Sequence, residues 1–502
     1  MARTPPPHLL LITSDQHRAD TLGCAGHPCV QTPHLDALAY QGVRFDNCYV
    51  DCPVCIPART TLITGRRAHE NGKAQYAGDW RLDRDRRDFL GSLLTAAGYQ
   101  TELVGKTHWH TEPDFRAGFE HVTWLAQLKR QQLIETRHAG TQTGIGFNEI
   151  SPTASAFPAH LHSTNWCVDQ ACDFLTTRQR DQPFALWLSL TDPHPPLSIH
   201  EPYYSMYRDA PVPPPVVADW VGSDREPRDH FIQRHSWNKG PFSPEQIRHA
   251  RAVYYGMVTN LDHQLGRLVG QLQQLGDWDN TLVIYSSDHG EALGDLGAVG
   301  KRNFFEHSAK VPLIVRPPST WNTPPGRVCH DLVEWCDLLP TLTHAADART
   351  PGDVTGRSLL DKIRPSADPD SGTDQGSDQD PADLPGPADP HLMHGQIMDA
   401  HMLHDGRHKY LYWTSDGREM LFDIDQDPHD QHPRTDEASL GPWRQKLVDH
   451  LTHEGHPDVA DGKLKNQHLP RPSVAECRAM NVAGLAGGQY LAQLTRTILD
   501  IH

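Results

Sequence analysis

The chain has 502 residues, 37% of them hydrophobic and 22% charged, with a formal net charge of −17 from 46 basic and 63 acidic side chains. That apolar share supplies a sizeable core and rules out a globally disordered or collagen-like chain, and the length suits one large domain with a smaller one. The acidic balance argues against a nucleic-acid partner, and no apolar run approaches the ~20 residues of a membrane span.

The first element in chain order is the apolar run Leu9-Leu10-Leu11-Ile12-Thr13, which ends in Ser14-Asp15-Gln16-His17. It reads as a buried parallel strand with polar groups at its carboxyl end, where open parallel sheets place their chemistry. It is too short for a signal-peptide core and has no small-residue cleavage site behind it, so a cytoplasmic protein is expected. Ten cysteines follow, five of them among the first 55 residues (Cys24, Cys29, Cys48, Cys52 and Cys55), a clustering unlike a disulfide framework.

The strand-end pattern recurs. A helix over 89–98 precedes a strand over 101–104 and then Gly105-Lys106-Thr107-His108. Val168, Ala171, Cys172 and Leu175 have helical spacing and lead into a strand over 184–190, followed by Asp192-Pro193-His194-Pro195. The longest helix is expected over 244–275, with the stripe Val258, Leu261, Leu265, Leu268, Leu272 and Leu275. It feeds a strand over 281–285 that ends in Ser287-Asp288-His289-Gly290, and another core strand is expected over 311–315. Helix-then-strand units with polar strand ends predict an α/β fold built on a large, mostly parallel sheet sandwiched by helices. Segment 365–391 has seven Asp and no Lys or Arg and reads as a mobile insertion. Beyond it, two strands around Ser415-Asp416-Gly417 suggest a small antiparallel subdomain. The expected organisation is a catalytic domain over 1–364, the insertion, and a C-terminal subdomain with its tail over 392–502. A helical stretch over 488–499 packs either on its own chain or on a second copy in a homo-oligomer.

Chemistry concentrates in Cys52-Pro53-Val54-Cys55-Ile56-Pro57-Ala58-Arg59 and the following Thr64-Gly65-Arg66. The two cysteines alone admit a redox pair, half of a zinc site with Cys24 and Cys29 as further donors, or small hydrophobic residues under a turn. The whole pattern resembles the C-x-P-x-R signature of the sulfatase family, in the alkaline-phosphatase-like superfamily. Only Cys55 fits it, because Cys52 has no Pro two positions on and no Arg four on.

The resemblance implies that Cys55 is oxidised by a maturation enzyme to formylglycine, whose hydrate is the nucleophile. It also implies one divalent metal, usually calcium, with manganese or magnesium as alternatives, held by Asp15, Gln16, Asp288 and His289 with the group at Cys55. Gln16 stands where the family usually has a second Asp, as in choline-sulfatase-like and phosphonate-hydrolase-like members, and makes the site less anionic. Arg59, Lys106, His108, His194 and Lys301 would hold the anion and protonate the leaving oxygen. His17, His110, His307 and Asp262 are possible neighbours without assigned roles. Glu306, in Phe304-Phe305-Glu306-His307-Ser308, resembles a choline-sulfatase segment, and 421–428 resembles the family's C-terminal L-Y-D-x-x-x-D-P. The expected activity is hydrolysis of small-molecule sulfate esters. Phosphonate monoester or phosphodiester hydrolysis in the same site is the alternative, as is a non-catalytic anion binder with an unmodified Cys55. Leaving-group specificity is expected in loops such as 129–158 and 211–239.

Overall fold

The computed structural model describes residues 6–74, 82–83, 86–109, 115–136, 148–236, 242–364 and 392–478. Its eight-stranded sheet contains β1 (His8–Asp15), β2 (Val43–Tyr49), β3 (Gln100–Gly105), β4 (His121–Trp124), β5 (Phe184–Pro193), β6 (Thr281–Ser287), β7 (Leu313–Arg316) and β8 (Arg327–Glu334). The spatial order is β8-β2-β7-β6-β1-β5-β3-β4, with β1 central and only β7 antiparallel to its neighbours. The main helices are α1 (Pro33–Tyr40), α2 (Cys55–Thr64), α3 (Leu90–Ala96), α4 (Ser163–Thr177), α5 (Pro244–Gln274), α6 (Leu338–Ala345) and α7 (Glu437–His453).

The two-residue period of β1 divides its apolar run between two cores. Leu9 and Leu11 join Ala58 and Leu62 of α2, Leu90 of α3 and Leu338 of α6 on one face. Leu10 and Ile12 join Val168 and Leu175 of α4 and Leu261, Leu265 and Leu268 of α5 on the other. Burial on both faces is why β1 reads as an unbroken apolar run. A capping box starts α5: Ser243 accepts a hydrogen bond from the Gln246 backbone at 3.2 Å, and the Gln246 side chain accepts one from the Ser243 backbone at 2.7 Å.

Four further strands, β9 (Met393–Ile397), β10 (Ala400–His404), β11 (His408–Trp413) and β12 (Glu419–Asp423), form an antiparallel meander. One face carries α7 through Leu440, Trp443, Leu447 and Leu451. The other places Met402, Leu411, Met420 and Phe422 against Tyr49, Cys52, Val54, Phe304 and Phe305. Lys409 of β11 is fully buried at this junction, 2.7 Å from Glu306 and 2.9 Å from Asp430.

Several elements differ from expectation. The strand expected over 311–315 is β7, shifted to Leu313–Arg316 and antiparallel. β2 and β8 were not expected, because β8 is a partly exposed edge strand and β2, beside it, carries Arg44, Asp46 and Asn47 among its apolar residues. The helix that carries Arg59 begins at Cys55 itself, which puts Arg59 one turn in. The insertion 365–391, the segment 488–499 and His110 lie outside the described residues. Among the described residues no helix is long and apolar enough to cross a membrane.

Candidate active site

Four adjacent parallel strands deliver the site. In the sheet register Gly105 of β3 and Thr13 of β1 both pair with Ser189 of β5, and Ser14 pairs with Ser287 of β6. The residues just beyond these positions, Lys106, Asp15, His194 and Asp288, therefore converge on one edge of the sheet. Gly105 has φ +108°, and a Cβ there would lie 2.1 Å from the Ser189 carbonyl oxygen, so only glycine hands β3 over to Lys106. Cys55 is the first residue of α2, and the positive end of that helix faces the same place.

Asp15, Arg59, Asp288 and His289 are completely buried, and Cys55 is 5% exposed. Arg59 organises the floor: its Nε donates to Asp288 at 2.9 Å, and its Nη1 donates to the Lys106 carbonyl at 3.0 Å and to Ser189 Oγ at 2.6 Å. Its Nη2 lies 3.8 Å from Asp15. Lys106 Nζ donates to the same Asp15 oxygen, Oδ2. Lys301 Nζ donates to Gln16 Oε1 at 2.6 Å and to His194 Nε2 at 2.7 Å. Gln16 and His108 both hold positive φ, 72° and 60°, uncommon backbone for non-glycine residues and frequent at functional sites. For Gln16 the result is a backbone N–H placed 3.2 Å from Asp288 Oδ1.

The charges perturb one another. Burial alone would raise the Cys55 thiol, but Lys106, then Lys301 and His108, hold it well below its ordinary pKa. Asp15 is held well below the usual carboxylate range: burial opposes this, and Lys106, His194 and His289 outweigh it. Asp288 moves the other way, raised by burial and by the charge of Asp15. Burial and Lys301 push His194 down to about 3, and burial and Lys106 lower His108.

The donor set fits a divalent cation. His289 Nδ1–H donates to the Gly290 carbonyl at 3.0 Å, which leaves a lone pair on Nε2. That nitrogen and Asp15 Oδ1 are buried without hydrogen-bond partners and face each other at 3.5 Å. Asp288 Oδ1 is 3.6 Å from the same nitrogen, and the ligand atoms of Asp15, Cys55 and His289 lie within 4.8 Å of one another.

The candidates thus gather, but Gln16, expected as a metal ligand, turns its side-chain Oε1 to Lys301 and its amide to Glu291. Cys52 does not share the environment of Cys55. It packs in the apolar cluster beneath the C-terminal sheet, its thiol is pushed well above its ordinary pKa by burial, and all ten cysteines are unpaired. His17 is a satisfied core histidine, bound to Tyr285 OH at 2.5 Å and the Thr21 carbonyl at 3.0 Å. Asp262 accepts the Leu35 and His34 backbone N–H groups at 2.7 and 3.1 Å, at the start of α1. Glu306 serves the junction with the C-terminal sheet. His307 lines a separate cavity of about 700 Å³ with Arg18, Asp20, Arg44, Lys310 and His429.

Two buried residues of the site had no place in the sequence reading. Glu291 accepts from the Gln16 amide and from the backbone N–H groups of Leu293 at 3.0 Å and Gly300 at 2.5 Å, which fixes the loop carrying Lys301. Ser189 joins Arg59 to Lys106. Each had a faint signal, Glu291 as the acid three places after Asp288 and Ser189 as the polar break in Phe184-Ala185-Leu186-Trp187-Leu188.

The sulfatase family model matches residues 7–348. The chain belongs to the sulfatase family. As a member it is a sulfuric ester hydrolase. It is 30% identical over 454 residues to an arylsulfatase of Clostridium perfringens, covering 84% of this chain and 89% of that one. It is 26% identical over 488 residues to the choline-sulfatase of Rhizobium meliloti, covering 90% and 88%. The phosphonate monoester hydrolase structure from Silicibacter pomeroyi shares the fold, with a TM-score of 0.72 at 23% identity, covering 92% of this chain and all of that one.

Proposed function

We propose that this sulfatase cleaves sulfate monoesters of small alcohols with a nucleophile made from Cys55 by a formylglycine-generating maturation enzyme. A divalent metal, calcium in the first instance, would sit between Asp15, Asp288, His289 and the group at position 55. The observation that carries this reading is the placement of Cys55 Sγ among the ligand atoms of Asp15 and His289, on a helix N-terminus and beside Lys106, Lys301 and His108. Formylglycine hydrate supplies a geminal diol, one hydroxyl to displace the alcohol and one whose proton loss lets the sulfate depart without water attacking sulfur. The metal supplies Lewis acidity toward the nucleophilic and sulfate oxygens.

The chain's own residues do the remainder. Arg59 keeps Asp288 in place, and Lys106, ahead of His194 and His289, holds Asp15 ionised. Lys106, His108 and Lys301 face the tetrahedral anion, where preorganised positive charge favours the transition state. His194, held neutral, shares a hydrogen bond with Lys301, so the proton for the leaving oxygen comes from the Lys301 ammonium. A phosphonate monoester is also a tetrahedral monoanion, and the same cations would bind it.

Leaving-group dependence tests the assignment. Lys301→Ala should cost about 10²–10⁴-fold on an alkyl sulfate, whose alkoxide needs the proton, and much less on 4-nitrophenyl sulfate. Equal losses on both would remove Lys301 as the acid. Turnover of matched aryl sulfate and aryl phosphonate esters by the unaltered enzyme fixes the preferred class.

A further inference from the structure

A second group of metal-ligating side chains lies away from Cys55, where the turn after α2 meets the C-terminal sheet. It joins His69 from that turn, His394 of β9, His450 from the last turn of α7 and Glu454, the residue that caps that helix. His394 is completely buried. Its Nδ1, His69 Nε2 and His450 Nε2 are all buried without a hydrogen-bond partner. All three nitrogens nevertheless surround one carboxylate: His450 Nε2 is 3.1 Å and His69 Nε2 is 3.5 Å from Glu454 Oε1, and His394 Nδ1 is 3.7 Å from Oε2. Two donors bound tetrahedrally to one ion at ~2.05 Å stand about 3.3 Å apart, so these separations are those of a ligand shell.

A relay fixes which nitrogen of His394 carries the lone pair. Asp458 accepts the Nε2–H of His401 at 3.1 Å, so His401 Nδ1 is an acceptor. That atom takes the Nε2–H of His394 at 3.2 Å, which leaves His394 Nδ1 unprotonated and turned toward Glu454. A carboxylate–histidine chain behind a metal-binding imidazole is the usual way of orienting the ligand. The neighbouring His401, His456 and Asp458 also lie close together. Their nitrogens, however, are spent: His456 accepts the Asp458 backbone N–H at 3.2 Å, and its Nε2 donates to Gln396 at 3.1 Å.

We propose that His69, His394 and Glu454, with His450 as a fourth donor, bind a zinc-class divalent cation that clamps the segment following the Cys55 helix to the C-terminal sheet and α7. Three imidazoles and one carboxylate suit zinc better than the harder calcium, which prefers oxygen. Glu454, at the solvent edge, gives the ion its way in. The site is structural, because its ligands form a group separate from Asp15, Cys55 and His289.

The test uses the full-length protein, stripped with chelator, reloaded with zinc and gel-filtered before its metal content is measured. Asp288→Asn, which disables the catalytic metal site, should retain one zinc per chain. The same background carrying Glu454→Gln or His69→Gln should lose it, with at least about tenfold weaker binding per ligand removed. Zinc should raise the thermal midpoint of Asp288→Asn but of neither double variant. Glu454→Gln is a conservative change at the surface, and circular dichroism checks that it folds. Equal zinc content in Asp288→Asn and its Glu454→Gln double variant, or no zinc retained by Asp288→Asn, would overturn the proposal.

Discussion

Lys409→Met probes the junction between the main sheet and the C-terminal meander. The ammonium is completely buried, 2.7 Å from Glu306 and 2.9 Å from Asp430, and those side chains are only 8% and 1% exposed. Methionine keeps the volume of the stem and removes the charge. Asp430, already pushed up to about 7 by burial and by Glu306, then loses the cation that pulls it down and takes up a proton at neutral pH. Glu306 keeps the Tyr49 hydroxyl at 2.9 Å but faces no buried cation, with only the partly exposed Lys310 at 3.6 Å. One uncompensated buried charge costs about 3–5 kcal/mol, whereas neutralising the whole set is close to neutral. Urea unfolding at pH 7.5 should therefore show Lys409→Met destabilised by about 3–5 kcal/mol, with Glu306→Gln/Lys409→Met recovering most of that loss. Turnover per folded molecule should be unchanged in both, since these side chains do not reach Cys55. A single variant within 1 kcal/mol of the parent, or a double variant no better than the single, would refute this account of the junction.

Three other outcomes are expected. Leu268→Ala should cost about 2–5 kcal/mol in the same urea assay, because Leu268 is completely buried between α5 and the sheet. Glu226 is held at about 2, against its burial, by His230 and Arg234. Its contribution to stability is thus present above the unfolded carboxyl pKa of about 4.5 and lost as pH falls toward 2, and Glu226→Gln should flatten that acid limb of the stability curve. Exhaustive chelation should abolish ester turnover, and added calcium or manganese should restore it in the parent but not in Asp288→Asn.

The sheet and most of the site were legible because apolar runs ended in polar residues. Asp15, Lys106, His194 and Asp288 each stand just past such a run, and parallel register alone brings them together. The Cys55 pattern then indicated which chemistry to expect at that edge. What was not legible depends on tertiary partners. Glu291 looks like any acid in a turn until Gln16 and the Gly300 N–H close on it. His17 and Asp262 carry the right chemistry for the site, yet Tyr285 and the start of α1 claim them. Glu306 sits in a family-like segment but faces Lys409, 103 residues away in sequence. The His69, His394 and Glu454 cluster has no spacing motif at all, since three distant segments supply it.

The central claim is that the nucleophile is made from Cys55. The most direct measurement is a peptide mass map across Cys55 on protein co-expressed with a formylglycine-generating enzyme, with aryl sulfate turnover recorded on the same samples. A loss of about 18 Da at that cysteine, in proportion to activity across preparations, is the predicted result. Full turnover by protein whose Cys55 is unmodified would contradict it.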